Sequence, residues 1–358
     1  MPALDALGWS DRLADAFAPY QTASLVPARV SLEHTHIYRV MAETGEWLAR
    51  VSGRLRHRAE GRPDFPAVGD WVAVEPAAGD GDARIVAVLP RSSRFSRRAA
   101  GDRTEEQVIA ANIDTVFLVG GLDRDFNPRR IERYLLVAWE SGAAPVVVLN
   151  KADLVDDPQR YVEEVRSLAP AVPVHAISCR SGEDVDVLRD YLGHGRTGAL
   201  LGSSGVGKST IVNRLVGHDL MRTQDVRVAD SRGRHTSSSR QLVLLPGHGV
   251  LIDTPGMREL QLWETGDALT SAFADIDAIA ESCRFRDCRH STEPGCAVRA
   301  AVGDGRLASE RVESFHKLLL EQEHERRQQD ERAQLEQKRR WKVLTKAANK
   351  RIKEKGRT

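Results

Sequence analysis

The chain has 358 residues, enough for two or three folded domains. Hydrophobic residues make up 41% and charged residues 29%, which excludes a disordered chain. The net charge of +1 excludes a uniformly basic or acidic protein, so any polyanionic partner must be met by a local patch.

Residues 1–25 read as a helical or loose leader. The opening "MPALDALGWSDRLADAFAPY" has acidic residues, no basic start and no apolar centre, so a signal peptide is not expected. No apolar run approaches the roughly 18 residues that span a bilayer. A soluble, cytoplasmic monomer without a membrane partner is the expectation.

Residues 26–92 are strand-like. "ARVSLEHTHIYRVMAETGEWLARVSG" holds two β-rich runs around a Thr-Gly turn, and "VGDWVAVEP" and "ARIVAVL" follow. Short strands at this spacing suggest a small barrel, and a five-stranded oligonucleotide-binding barrel (OB-fold) fits the length. Some other small β-domain is the alternative. Residues 93–103 follow as an Arg-rich linker, within "RSSRFSRRAAGDR".

From 104 to 265 β and α segments alternate. "IDTVFLVGGL", "APVVVLN", "VPVHAIS" and "TGALLG" read as strands; "PRRIERYLLVAWESG", "PQRYVEEVRSLAP", "DVDVLRDYLG" and "KSTIVNRLVG" read as helices. Such alternation means a parallel sheet covered by helices. "QLVLLPGHGVLIDTPG" adds two strands joined at Pro-Gly. Residues 266–320 turn helical around a cysteine cluster, and 321–358 form a basic helix or tail.

Two motifs in this region carry chemistry. "GSSGVGKST" matches the phosphate-binding loop through Gly202, Gly207, Lys208 and Ser209, with Ser203, Ser204, Gly205, Val206 and Thr210 completing it. Its glycines let backbone N–H groups wrap a β-phosphate at a helix N-terminus. Lys208 would bridge the β- and γ-phosphates, and Ser209 would hold Mg²⁺. A chance match is the alternative, and the strand–loop–helix setting counts against it. The second motif, Asn150, Lys151, Ala152 and Asp153, closes an apolar strand. A carboxylate there would accept hydrogen bonds from N1–H and the exocyclic amine of guanine, donors that adenine does not present together. Lys151 would lie over the base. Ser178 and Cys179 end the next strand, where a loop would bracket the base with N–H groups.

The order is reversed: the base motif precedes the phosphate loop. In a parallel sheet all binding loops sit at the carboxyl ends of strands, so joining old termini and opening the chain elsewhere leaves the site intact. The γ-phosphate sensors then fall late. Asp253 in "VLIDTPG" is a candidate for Mg²⁺ through water, and the Gly256 N–H would face the γ-phosphate. Thr236 is the candidate for the second Mg²⁺ hydroxyl, with Thr223, Ser237 and Ser238 as rivals. Met257 stands where many GTPases carry a water-positioning glutamine, and His235 is the candidate to replace it.

Four cysteines are too few for a disulfide framework. Three of them fall in "CRFRDCRHSTEPGC", which supplies Cys283, Cys288, His290 and Cys296. Three thiolates and an imidazole suit one tetrahedral structural Zn²⁺ in a reducing compartment. Residues 337–358 hold ten Lys or Arg and one Glu, Glu354. With the Arg-rich linker and the barrel, they favour contact with RNA phosphates over a merely solvated helix end.

The order "NKAD", "SCRSG", "GSSGVGKST", "GRHTS", "DTPG", then Cys-x₄-Cys-x-His-x₅-Cys, resembles the circularly permuted GTPases called ribosome small-subunit-dependent GTPase A (RsgA, YjeQ-like). "EQVIAANID" at 106–114 is similar as well. The likeness covers roughly residues 30–320. It implies a barrel, a permuted GTPase domain and a zinc domain. It implies hydrolysis of GTP to GDP and phosphate, stimulated by the small (30S) ribosomal subunit, late in that subunit's maturation and in contact with its rRNA. It places the family's catalytic His on His235 and its zinc ligands on the four residues named. Thr254 stands where a serine is frequent. A GTP-regulated RNA-binding scaffold is the alternative, and a P-loop kinase acting on a small molecule is a third.

Overall fold

In the computed structural model the described residues are 3–21, 24–34, 37–77, 81–98, 106–123, 126–217, 241–247, 249–253, 273–309, 311–320 and 323. They belong to two units, Met1–Gln261 and Leu262–Thr358.

The first unit opens with helix α1 (Asp11–Phe17), whose Leu13 and Phe17 are buried. Trp9, just before it, meets Trp71 edge-on with ring centroids 4.8 Å apart. The leader is thus helical and docked. Five strands follow: β1 (Val26–His34), β2 (Ile37–Ala42), β3 (Gly45–Val51), β4 (Trp71–Glu75) and β5 (Ala83–Val88). Where two β-rich runs are expected from the sequence, three strands form; the Thr-Gly turn joins β2 to β3, and the polar stretch after His34 separates β1 from β2. The order β1-β2-β3-β5-β4 closes through β1–β4 pairing, with β3 and β5 parallel and every other contact antiparallel. This is the closed five-stranded barrel expected. Alternate side chains fill it: Tyr38, Val40 and Ala42 of β2 point inward with Val30, Ala49, Val72, Val74 and Ile85. A short helix, α2 (Gly53–Arg58), follows β3; the Ser52 side chain accepts from the Leu55 N–H at 3.2 Å to cap it.

The Arg-rich segment, expected to be a linker, is in part a strand. β6 (Arg94–Arg98) pairs antiparallel with β7 (Glu106–Ala111). Phe95 is buried, and Glu106 takes a hydrogen bond from the Ser96 hydroxyl at 2.6 Å and faces Arg94 at 3.7 Å. The strand reads Arg-Phe-Ser-Arg-Arg, and an acid on the opposing strand partners the first arginine. Arg91 is committed internally: its guanidinium donates to both oxygens of buried Asp70, at 2.8 and 2.7 Å, and to the carbonyls of Pro63 and Phe65.

The remaining strands are β8 (Thr115–Gly121), β9 (Ala144–Asn150), β10 (Val174–Ala176), β11 (Thr197–Gly202), β12 (Gln241–Leu244) and β13 (Val250–Asp253). The order β10-β9-β8-β11-β13-β12 is parallel except for β12. Helices α3 (Pro128–Ser141) and α4 (Pro158–Leu168) connect parallel strands, and α5 (Lys208–Val216) follows β11. Pro128 and Pro158 each occupy the first turn, where a missing N–H costs nothing. The stretch "DVDVLRDYLG", expected as an α-helix, is a 3₁₀ helix over Val185–Tyr191 that starts from Asp184 in the left-handed region. One face of the sheet packs Phe117, Val119, Val146, Val148 and Leu200 against Ile211, Val212 and Leu215 of α5 and Leu188 of the 3₁₀ turn. Val116, Leu118, Val147 and Leu149 alternate with these and are equally buried, and α3 contacts β8 and β9.

Barrel and sheet are joined. β1 meets β12 with Leu32 opposite Gln241, and Gln241 lies opposite Asp253 of β13. Beneath this seam Arg29 of β1 is wholly buried. Its guanidinium donates to the carbonyls of Leu7, Gly69 (3.2 Å) and Asn112 (3.1 Å) and to the Thr197 hydroxyl (2.8 Å). Four separate segments therefore converge on one side chain. Desolvation draws its pKa down to about 10, against the fields of Asp114 and Asp70.

In the second unit, helices run over Ala274–Ala280, Ala297–Gly303 and residues 311–320. Phe273, Ile276, Val298 and Ala301 are fully buried. Arg311 lies over the Phe273 ring at 4.7 Å and pairs with Asp275 through two bonds of 2.7 and 2.9 Å. No helix among the described residues is long and apolar enough to cross a membrane.

Candidate nucleotide site and metal centre

β11 ends at Gly202, and α5 starts at Lys208. Gly205 and Gly207 both have positive φ, of 82° and 100°. At Gly207 a Cβ would also collide with the Asn150 amide, so this position needs glycine twice over. The Lys208 ammonium bends back to the carbonyls of Gly202 (2.8 Å) and Ser203 (2.6 Å). Ser204 and Gly205 are exposed, Val206 is buried, and Ser209 and Thr210 are half-buried at the start of α5.

β9 ends at Asn150, one strand away from the phosphate loop across β8. Buried Asn150 bridges three loops. Its Nδ2 donates to the Val206 carbonyl at 2.8 Å, and its Oδ1 accepts from the Cys179 N–H at 3.1 Å. Lys151 adopts a left-handed backbone at φ 68°, and its ammonium is 2.6 Å from Asp123. The Ala152 N–H donates to the Ile177 carbonyl at 3.0 Å. Asp153 is exposed, and the buried Ser178 hydroxyl donates to it at 2.6 Å, which aims the carboxylate. Burial pushes the Cys179 thiol up to about 11, so it stays protonated and unreactive. The sequence-derived residues from 150 to 153, 178 to 179 and 202 to 210 thus meet at the carboxyl end of one sheet. β13 brings the Asp253 backbone to the same end, beyond β11. His235, Thr236, Gly256 and the side chain of Asp253 lie outside the described residues, as do Thr223, Ser237, Ser238, Thr254, Met257 and the basic tail apart from residue 323.

Three residues of the site escape sequence reasoning. Asp123 follows β8 and holds Lys151. Arg130, in the first turn of α3, donates to the Ser203 hydroxyl at 2.9 Å. Arg214, on α5, donates to the carbonyls of Cys179 and Arg180, both at 3.1 Å, and so ties the base loop to the phosphate-loop helix. A polar residue just past a parallel strand was the available signal for Asp123; nothing local marks the two arginines.

In the second unit, one ligand atom from each of Cys283, Cys288, His290 and Cys296 lies within 4.8 Å of all the others. The His290 Nδ1 faces the sulfurs of Cys283 and Cys296 at 3.6 and 3.4 Å. Burial and the field of His316 lower the His290 pKa, which keeps a lone pair available. Burial opposes the Cys283 thiolate, yet the N–H groups of Val298 and Ala297 and the neighbouring thiols bring its pKa below the ordinary value. Cys288 goes the other way, pushed up to about 11 chiefly by burial. A dication at the centre of the cluster would favour the thiolate form of all three cysteines. Three sulfurs and a nitrogen, with no open position, fit a structural zinc ion. The turn between is locked by Glu293. Its own N–H, then those of Arg289, Ser291 and Thr292, hold its carboxyl down at about 2.

A phosphate loop and a guanine-reading motif that share one parallel sheet in inverted chain order define a circularly permuted P-loop GTPase. The model of the RsgA GTPase family matches residues 88–263, and that of the 50S ribosome-binding GTPases matches 197–346. A small ribosomal subunit biogenesis GTPase RsgA from Opitutus terrae is 49% identical over 95% of both chains. Its counterpart in Methanosarcina acetivorans is 45% identical over 88% of this chain and 84% of its own. Among solved structures, YjeQ from Thermotoga maritima aligns with a TM-score of 0.63 at 27% identity, over 83% of this chain and 98% of its own. The circularly permuted GTPase YloQ shares the fold, with a TM-score of 0.60. The chain belongs to the RsgA GTPase family and is a GTP-hydrolysing enzyme.

Proposed function

We propose that this GTPase acts in assembly of the small ribosomal subunit, late in its maturation, and that the subunit stimulates hydrolysis. The observation that carries the nucleotide chemistry is the Asn150 bridge, because it binds the base motif to Val206 of the phosphate loop. Asp153 selects guanine. Lys208 and the N–H groups of residues 203–210 take the phosphates. Ser209 and Thr236 would hold Mg²⁺, Asp253 would support it, and the Gly256 N–H would sense the γ-phosphate. Mg²⁺ would screen charge on the transferring phosphoryl group. His235 positions the attacking water in place of the glutamine that Met257 displaces. Cys283, Cys288, His290 and Cys296 would hold one structural Zn²⁺. The names carried by the relatives support the ribosomal role.

In this reading the chain works as a cytoplasmic monomer divided into leader (1–25), barrel (26–92), Arg-rich segment (93–103), GTPase domain (104–265), zinc domain (266–320) and basic tail (321–358). The barrel, the zinc domain and the tail meet rRNA. The test is steady-state phosphate release with and without purified 30S subunits. Stimulation is expected, and its absence overturns the ribosomal role in favour of a GTP-regulated RNA-binding scaffold, which Met257 would suit. His235→Ala should lower stimulated turnover with GTP binding intact; unchanged turnover removes His235 from the mechanism.

A further inference from the structure

Four large hydrophobic side chains are markedly exposed among the described residues: Leu48, Leu154, Leu320 and Phe285. Phe285 is the single aromatic among them, at 42% exposure, and it lies inside the metal-binding loop between Cys283 and Cys288. The Arg284 guanidinium sits 5.5 Å over its ring. Arg286 and Arg289, on the same loop, are exposed. The loop's two acids do not balance this charge equally. Asp287 is exposed, whereas the Glu293 carboxylate is occupied by three backbone N–H groups of the turn. The loop is also held at both ends: Cys283 accepts from the Ala297 N–H at 3.3 Å, and the Arg284 N–H donates to the Gly295 carbonyl at 3.2 Å.

An exposed ring on a fixed loop loses little freedom on binding. A ring flanked by guanidinium groups suits a flat π-system that carries negative charge beside it. Nucleic-acid bases fit that description, and they stack on aromatic side chains when unpaired, whereas duplex bases are already stacked on each other. We propose that Phe285 is a stacking platform for an unpaired base of RNA. The base lies on the ring face opposite Arg284, and Arg286 and Arg289 take the flanking phosphates. The proposal rests on the reading that this protein acts on rRNA, and names the zinc loop's contact as single-stranded.

The experiment uses the full chain with its zinc. Fluorescence anisotropy measures binding to a short single-stranded RNA and to a duplex of the same sequence, at several salt concentrations, for wild type, Phe285→Ala, Phe285→Trp and Arg286→Ala. Phe285→Ala should weaken single-strand binding roughly tenfold, with the salt slope unchanged and duplex binding unaffected. Phe285→Trp should retain binding, and Arg286→Ala should flatten the salt slope. Unchanged zinc content shows that the loop persists in each variant. Equal loss on single strand and duplex overturns the proposal, and so does unaltered single-strand binding by Phe285→Ala. The second result, joined to weakened 30S association, would assign Phe285 to a ribosomal protein instead. If 30S subunits fail to stimulate hydrolysis while Phe285→Ala still loses single-strand binding, the ribosomal reading fails and the stacking site stands.

Discussion

The nucleotide site and the metal centre are built on opposite plans. The first gathers loops spread over residues 123–210 and joins them by hydrogen bonds, notably through Asn150. The second takes all its ligands from residues 283–296. A site assembled by a sheet is indifferent to chain order, which is why permutation leaves it whole. A site assembled within one short loop depends on spacing, and its stability would come from a metal ion held there. Damage should therefore be graded in one and all-or-none in the other.

The largest effect should come from the metal centre. Cys288→Ser should leave the protein without bound zinc and remove hydrogen-exchange protection from the helices of the second unit, because binding free energy there is folding free energy. Retained zinc and protection would break the contrast. Next comes Asp153→Asn, which should weaken GTP binding about a hundredfold and shift preference toward xanthine nucleotides, measured by competition. Asn150→Ala is gentler. It strands the Val206 carbonyl and the Cys179 N–H and should cost about 2 kcal/mol of thermal or denaturant stability, with a partial loss of GTP affinity. Arg130→Ala should be smallest, weakening GTP by about threefold to fivefold, since it supports the Ser203 hydroxyl rather than the phosphate-wrapping N–H groups. A collapse of binding in Arg130→Ala would show that α3 contributes directly to the phosphates.

What the sequence reveals follows the same division. The candidate binding loops are legible because their chemistry dictates residue type: glycine where the backbone takes a positive φ, a carboxylate suited to reading guanine, and thiols suited to a soft metal. The barrel is legible as short alternating strands, though its first two merge into one run because no glycine or proline separates them. Arginine misleads in both directions. A strand holding Arg94, Arg97 and Arg98 reads as a linker until Glu106 is placed opposite, and the neighbouring Arg91 is committed to buried Asp70, a contact that only the fold reveals. Arg130 and Arg214 join the site through tertiary contacts that no local pattern announces.

Arg29 sets a limit on how this molecule can be taken apart. A barrel excised at its borders would keep the guanidinium and leave behind Leu7, Asn112 and Thr197, three of the four acceptors that make its burial tolerable. Transplanted onto another GTPase that covered the same face, that barrel would bury a cation without three of its acceptors.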